Sequence, residues 1–321
     1  MHAYIGSKLI LVEGLTGSGK SIMAHFIARQ LQYHGFLASW VHEAEVPHPI
    51  LLDDQPASIN TYMLKMRQRW ADFVDQVGLS AEVRVVEACF FNNFIETLLA
   101  HNVERSKIIE YFNELQALIE PLNPTLVYLV QQDLDKALER NFANRGKGFE
   151  NFVIRLVADM PVAIQRGWQG YAGMRTFWGE FVALTDELFH RFHYHKLKID
   201  NSAGDWQAYR RQVMQVLGLP LIPEQGLSPA EAQALVGLYR ANKSGKEFTV
   251  HYEDGELTIN IFLNVRTRLV RQAQGILLAE GWHFELSFEY DDLKGVYVLR
   301  FGGRDVDYLA LVGTLAEKIP A

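Results

Sequence analysis

Residues 8–21, Lys-Leu-Ile-Leu-Val-Glu-Gly-Leu-Thr-Gly-Ser-Gly-Lys-Ser, constrain this chain more than any other stretch. A nearly continuous apolar run over 8–13 passes straight into glycines. Ser21 to Tyr33 then carries Ile22, Met23, Phe26, Ile27 and Leu31 at helical spacing. Such a run reads as a parallel strand covered on both faces, so the order is strand, Gly-rich loop, helix. Gly14, Thr16, Gly17, Ser18, Gly19, Lys20 and Ser21 belong to a full match of the phosphate-loop pattern G-x-x-x-x-G-K-S/T. The glycines let consecutive backbone N–H groups turn inward around a phosphate, and the following helix presents its positive end. Lys20 then reaches the β and γ phosphates and Ser21 binds Mg²⁺. Chance would produce the pattern in about one chain of this length in a hundred. The ligands it implies are ATP and Mg²⁺.

The remaining pattern sets the fold. Gly35 closes the first helix and Phe36–Val41 reads as a second strand. A helix around Ile59–Val77, a strand at Val83–Glu87, a helix from about Asn93 and a helical stretch over Ser106–Leu118 follow. Pro124–Val130 is another strand, Leu134–Ala143 another helix, and His195–Ile199 a last parallel strand. A helical insertion at about 151–192 interrupts them, its Trp168, Tyr171, Phe177, Trp178 and Phe181 reading as core. This alternation predicts an α/β domain over 1–217, a parallel sheet with helices on both faces. Three prolines mark 218–229 as a linker. Residues 230–321 predict a small C-terminal antiparallel β-domain. In it Phe248–Tyr252 and Leu257–Phe262 flank Glu253-Asp254-Gly255-Glu256, a hairpin signal, and Trp282–Tyr290 and Val296–Phe301 are further strands.

Charge and cysteine content narrow the partners. Lys plus Arg number 31 against 38 Asp plus Glu in 321 residues, a net charge of −7, which argues against a nucleic-acid partner. Cys89, the single cysteine, supports neither an internal disulfide nor a Cys-rich zinc cluster, so a reducing, cytoplasmic setting is expected. His42 and His48 lack metal-ligand spacing, and no zinc is assigned. Leu9 to Val12 is too short for a signal peptide, and no run approaches the ~20 apolar residues that cross a bilayer, so no membrane partner is expected.

A phosphate loop needs a carboxylate at a neighbouring strand end. Glu87 closes Val83-Arg-Val-Val-Glu and can hold Mg²⁺ through water or accept the proton of an attacking hydroxyl. Leu51-Leu-Asp-Asp54 imitates such a strand end, but Pro47, Pro49 and Pro56 make it a loop. Residues 11–21 resemble the first strand and phosphate loop of thymidylate kinases and related nucleoside and nucleotide kinases, with Glu13 at the position before the loop where that family often has Glu. Thr16 stands where thymidylate kinases usually carry Asp, and Ala88 follows Glu87 where the family has Arg. The resemblance extends through Pro124–Val130 to Ala137-Leu-Glu-Arg140 and Asn144-Arg145-Gly146-Lys147, and implies that Arg140, Arg145 and Lys147 belong to a basic lid closing on the phosphates. Arg67 and Arg69 lie roughly where thymidylate kinases carry a nucleotide-contacting Arg. Leu235–Tyr239 and Glu253–Leu257 resemble lipocalin-like β modules.

Acceptor-binding candidates from loops at the C-terminal strand ends are Trp40, His42, Glu43 and Glu45. Asn201-Ser-Ala-Gly-Asp205 forms either the loop under the adenine or a helix cap. The expected function is an ATP-dependent phosphotransferase acting on a small-molecule acceptor such as a nucleoside or nucleotide. A nucleotide-hydrolysing switch without an acceptor, or a kinase modifying a natural product, are the alternatives.

Overall fold

The structure, a computed structural model, describes residues 6–52, 57–263, 265–273 and 275–319. The chain divides into two compact units, 1–43 with 47–221 and 44–46 with 222–321. In chain order the first unit is β1 (Leu9–Gly14), α1 (Lys20–Tyr33), β2 (Ala38–Val41), α2 (Ile59–Leu79), β3 (Val83–Glu87), α3 (Ile95–Ala100) and α4 (Arg105–Ile119). It continues with β4 (Thr125–Val130), α5 (Leu134–Arg145), α6 (Lys147–Ala158), α7 (Pro161–Arg166), α8 (Gly170–Arg191), β5 (His195–Asp200) and α9 (Trp206–Val216). All five strands run parallel in the order β2-β3-β1-β4-β5.

β1 is buried throughout, and its period-two alternation divides the core. Leu9 and Leu11 pack with Trp70 of α2, Phe112 of α4 and Phe177 and Phe181 of α8. Ile10 and Val12 pack on the other face with Phe26 and Ile27 of α1 and Val213 and Met214 of α9. Helices thus cover both faces of the sheet, and the loops at its C-terminal edge stay available to a ligand.

Several boundaries differ from expectation for local reasons. Leu37 stands just ahead of β2 with its carbonyl accepting from Val83 N–H at 2.8 Å. Phe36 lies outside the strand because the end of α1 uses it: Gly35 N–H bonds Gln32 O at 2.9 Å and Phe36 N–H bonds Leu31 O at 3.0 Å. This is the paired closure that a left-handed glycine, here at φ 81°, permits. α3 starts at Ile95 rather than Asn93, because Ala88 (φ 56°) and Asn93 (φ 58°) turn the chain through left-handed backbone first. The helical insertion begins earlier, at Lys147, immediately after Gly146. Within it Phe177, Trp178 and Phe181 are core and Trp168 is half-buried, but Tyr171 is exposed, which corrects its core reading. α9 follows residues 201–205 and is capped by Asp205, whose side chain accepts from Ala208 N–H at 2.9 Å.

The second unit is more closed than a small antiparallel β-domain requires. After α10 (Pro229–Leu235) come β6 (Gly237–Ala241), β7 (Glu247–Glu253), β8 (Glu256–Phe262), β9 (Val265–Ala273), β10 (Ile276–Ala279), β11 (Phe284–Asp291), β12 (Val296–Gly303) and β13 (Leu315–Lys318). Each pairs antiparallel with the next, and β13 returns to β6 with Ala316 opposite Ala241, closing a barrel with no free edge. Phe248, Ile259, Phe284, Leu286, Leu299 and Phe301 fill it. Asp254 (φ 51°) and Gly255 (φ 80°) form the two-residue turn between β7 and β8. Among the described residues no helix is long and apolar enough to cross a membrane.

Candidate phosphate-loop site

The loop between β1 and α1 is shaped by backbone that only glycine adopts without strain. Gly17 has φ 83° and Gly19 φ 88°. Both are also closely approached: a Cβ at Gly17 would lie 2.6 Å from Asn141 Oδ1 of α5, and one at Gly19 would lie 2.2 Å from the Trp206 ring of α9. Ser18 N–H closes the turn on Leu15 O at 2.9 Å, and Asn201 Nδ2 donates to Ser18 O. The loop therefore rests on residues from α5, the segment after β5 and α9. Gly19→Ala is expected to strain it by about 1–3 kcal/mol, lowering the melting temperature by about 2–10 °C, and to abolish Mg·ATP binding. Calorimetric titration showing native affinity would contradict this role.

Gly19 leads into α1, whose first residues are Lys20 and Ser21. The positive end of a 14-residue helix thus faces the loop. Lys20 is buried. Ser21 Oγ donates to Glu87 Oε1 at 2.5 Å. Glu87, at the end of β3, is 1% exposed, and its Oε2 has no hydrogen-bond partner among the described residues. Burial pushes its carboxyl up to about 8, Glu43 adding to the rise and Lys20 opposing it. Glu13 accepts from the backbone N–H of Phe90 (2.8 Å) and Asn92 (3.1 Å), the turn that left-handed Ala88 and Asn93 create. Its burial lifts it to about 7 against those bonds and Lys20. Glu96, in the first turn of α3, is raised to about 7 by burial, then by Glu43, with Lys20 again opposing. The carboxylates crowd one lysine, so the site favours a partner that brings positive charge.

The residues suit Mg·ATP. Ser18 Oγ, Glu87 Oε2, Asn92 Oδ1 and Asn201 Oδ1 are buried polar atoms without hydrogen-bond partners among the described residues. Buried groups of this kind ordinarily have partners. No three or more His, Cys, Asp or Glu among the described residues are arranged to hold a metal ion by themselves. Mg²⁺, however, usually takes one or two protein oxygens and completes its shell with water and phosphate oxygens. Ser21 Oγ and Glu87 supply such a pair.

The other sequence candidates scatter. Thr16 is half-buried within the loop, and Arg140 is exposed on α5. Arg145, the last residue of α5, lies over the Phe149 ring at 4.8 Å, and Lys147 pairs with Glu150 at 2.7 Å. The lid candidates thus fall on a two-helix turn whose α5 touches the loop through Asn141. Trp40 lies inside β2, stacked on His25 at 4.9 Å and edge-on to buried His42. Glu45 does not join the site: it belongs to the second unit and pairs with Arg304 (2.5 Å) and His283 (3.3 Å). Arg67 pairs with Glu114 at 3.7 Å, and Arg69 donates to Leu51 O. Asp53 and Asp54 lie outside the described residues. His48 Nδ1 accepts from the backbone N–H of Ile50 and Leu51, and its Nε2 stands 3.4 Å from Cys89 Sγ, so the buried thiol has a histidine neighbour that sequence proximity did not reveal. Of the two roles expected for residues 201–205, Asp205 fills the helix cap on α9, while Asn201 has a contact not expected of it, donating to Ser18 O of the phosphate loop. Glu96, Asn92, Asn141 and Trp206 were not foreseen, because no motif spacing ties them to the loop.

The sheet, loop and Ser21–Glu87 pair define a phosphate-loop α/β domain joined to an eight-stranded barrel. No protein-family model matches the chain, and no curated protein matches it. Among solved structures it is similar to the YorR protein of Bacillus subtilis in complex with phosphorylated GDP, at 13% identity and TM-score 0.34, covering 65% of this chain and 95% of that one. It is also similar to thymidylate kinase from Ehrlichia chaffeensis, at 17% identity and TM-score 0.35, covering 67% of this chain and 100% of that one.

Proposed function

We propose that the first unit is an ATP-dependent phosphotransferase that moves the γ-phosphoryl group to a small-molecule acceptor. The observation that supports this most is the hydrogen bond from Ser21 to the strand-end Glu87, placed at the mouth of a complete phosphate loop. The loop N–H groups and Lys20 would bind the phosphates, and Ser21 with Glu87 would hold Mg²⁺, which neutralises phosphate charge when bound. Glu87, as carboxylate, would take the proton of the attacking hydroxyl. Asn141 and Trp206 keep the loop in register, while Arg140 and Arg145 sit on the α5 side, where basic residues can neutralise charge during transfer. The reading applies to a cytoplasmic enzyme of the kinase type.

Two measurements test it. Isothermal titration with Mg·ATP is expected to show one site per chain, and ADP release is expected to rise at least tenfold over the acceptor-free rate when a competent hydroxyl compound is added. Absence of Mg·ATP binding would overturn the reading. Turnover that no acceptor accelerates would replace it with a nucleotide-hydrolysing switch.

A further inference from the structure

The loop is bordered asymmetrically. On one side lie α5 with Asn141 and Arg145, and the β5–α9 segment with Asn201 and Trp206. On the other lie the ends of three adjacent strands, β2, β3 and β1, and the turn leading into α3. That second side is where an acceptor must approach, because Glu87, the candidate base, stands in it at the end of β3. It is also acidic. Glu43 follows β2 and acts electrostatically on both Glu87 and Glu96, and Glu13 acts on Glu87 from the end of β1. Asn92 is 3% exposed, its side chain bonds Glu96, and its Oδ1 has no hydrogen-bond partner among the described residues. Buried Glu87 Oε2 is likewise unpartnered there. Tyr62, bonded to Asn93 O at 3.1 Å and stacked on Phe94, adds an aromatic wall near Glu96.

A phosphate-bearing acceptor would need cations on this side. Ala88, not arginine, follows Glu87, and it occupies left-handed backbone that bulkier residues avoid. Arg67 is paired with Glu114, and Arg69 is turned to Leu51 O. A second phosphate group would therefore meet carboxylates and a side-chain carbonyl, while Lys20, the cation whose field reaches Glu87 and Glu96, is taken up by the phosphates of the nucleotide. An ammonium group meets what it needs: carboxylates, an unpartnered carbonyl oxygen and an aromatic ring.

Resting on the phosphotransferase reading, we infer that the acceptor is a hydroxyl compound carrying an amino group and no phosphate, its ammonium held by Glu43, Glu96 and Asn92 and its hydroxyl directed at Glu87. In the step, the acceptor oxygen forms a bond to the γ-phosphorus as the bond from that phosphorus to the β–γ bridging oxygen breaks. ADP leaves with the electron pair, and the hydroxyl proton passes to Glu87 and then to water. No oxidant or other co-reactant enters.

The full chain is loaded with Mg·AMP-PNP and titrated separately with kanamycin, an amine-bearing polyol, and with thymidine monophosphate. Kanamycin is expected to bind at least tenfold more tightly. Its affinity is expected to fall at least tenfold in Glu96→Gln, and to fall as salt rises. Glu43→Gln, at a half-exposed loop position, gives the same reading should Glu96→Gln fail to fold by circular dichroism. Equal or tighter binding of the monophosphate, no measurable binding of kanamycin, or variants indistinguishable from the native chain would overturn the inference. Failure of Mg·AMP-PNP to load overturns the phosphotransferase reading instead, so the two failures are distinguishable.

Discussion

In the Lys20→Ala variant, ATP turnover is expected to fall by about 10²–10³-fold, with Mg·ATP affinity falling alongside it. Removing one preorganised donor aimed at developing charge has an effect of this size in other enzymes, and Lys20 is such a donor at the first position of α1. Its burial makes the expectation sharper. A solvated lysine could be replaced in part by water and salt, whereas this one is enclosed with Glu13, Glu87 and Glu96, and opposes the rise of each. Without it the carboxyls lose a cation and hold their protons more tightly, so they neutralise rather than repel. The fold is therefore expected to survive, and circular dichroism with a melting curve near the native one would show that it has. Native-like turnover in a folded Lys20→Ala chain would remove the phosphate loop from the chemistry altogether.

What was legible in the sequence followed from the range of the interaction concerned. β1 and β4 were visible because strands covered on both faces carry nearly continuous apolar runs, β3 because Val83, Val85 and Val86 stand out despite Arg84, and the phosphate loop because its glycines and Lys20 are adjacent in sequence. Barrel closure was not visible. It depends on Ala316 pairing with Ala241, and β9, with Arg266, Arg268 and Arg271 among its residues, lacks the apolar signal of a strand. The signal of α10 in Ser228-Pro-Ala-Glu231, its capping box, is masked in the sequence by the neighbouring prolines, which carry the stronger pattern of a linker. The site divides in the same way. Ser21 and Glu87 were found from strand and helix ends, while Glu96 and Asn92 reach the site through a turn set by left-handed Ala88 and Asn93. Asn141 and Trp206 matter through close backbone approach to Gly17 and Gly19, a property of tertiary packing alone.

Glu87→Gln separates the two roles assigned to that position. Glutamine keeps the size and retains an oxygen to accept from Ser21 Oγ, so the local hydrogen bond survives. The negative charge is lost, and with it the capacity to accept a proton. Mg·ATP is expected to bind within a few-fold of the native affinity, since the loop N–H groups, Lys20 and Ser21 remain, whereas phosphoryl transfer should drop by about 10²-fold, as for loss of a general base. Stability supplies the control. Burial disfavours the ionised carboxyl, holding it up near 8, so a neutral side chain at 87 is not expected to lower the melting temperature, and lost activity is not lost fold. Single-turnover measurement of phosphoryl transfer, with Mg·ATP affinity and melting recorded on the same preparation, checks all three. A native transfer rate would leave Glu87 as a partner of Ser21 only, and the proton would then have to leave by way of another carboxyl, Glu43 and Glu13 being the ones whose fields act on Glu87.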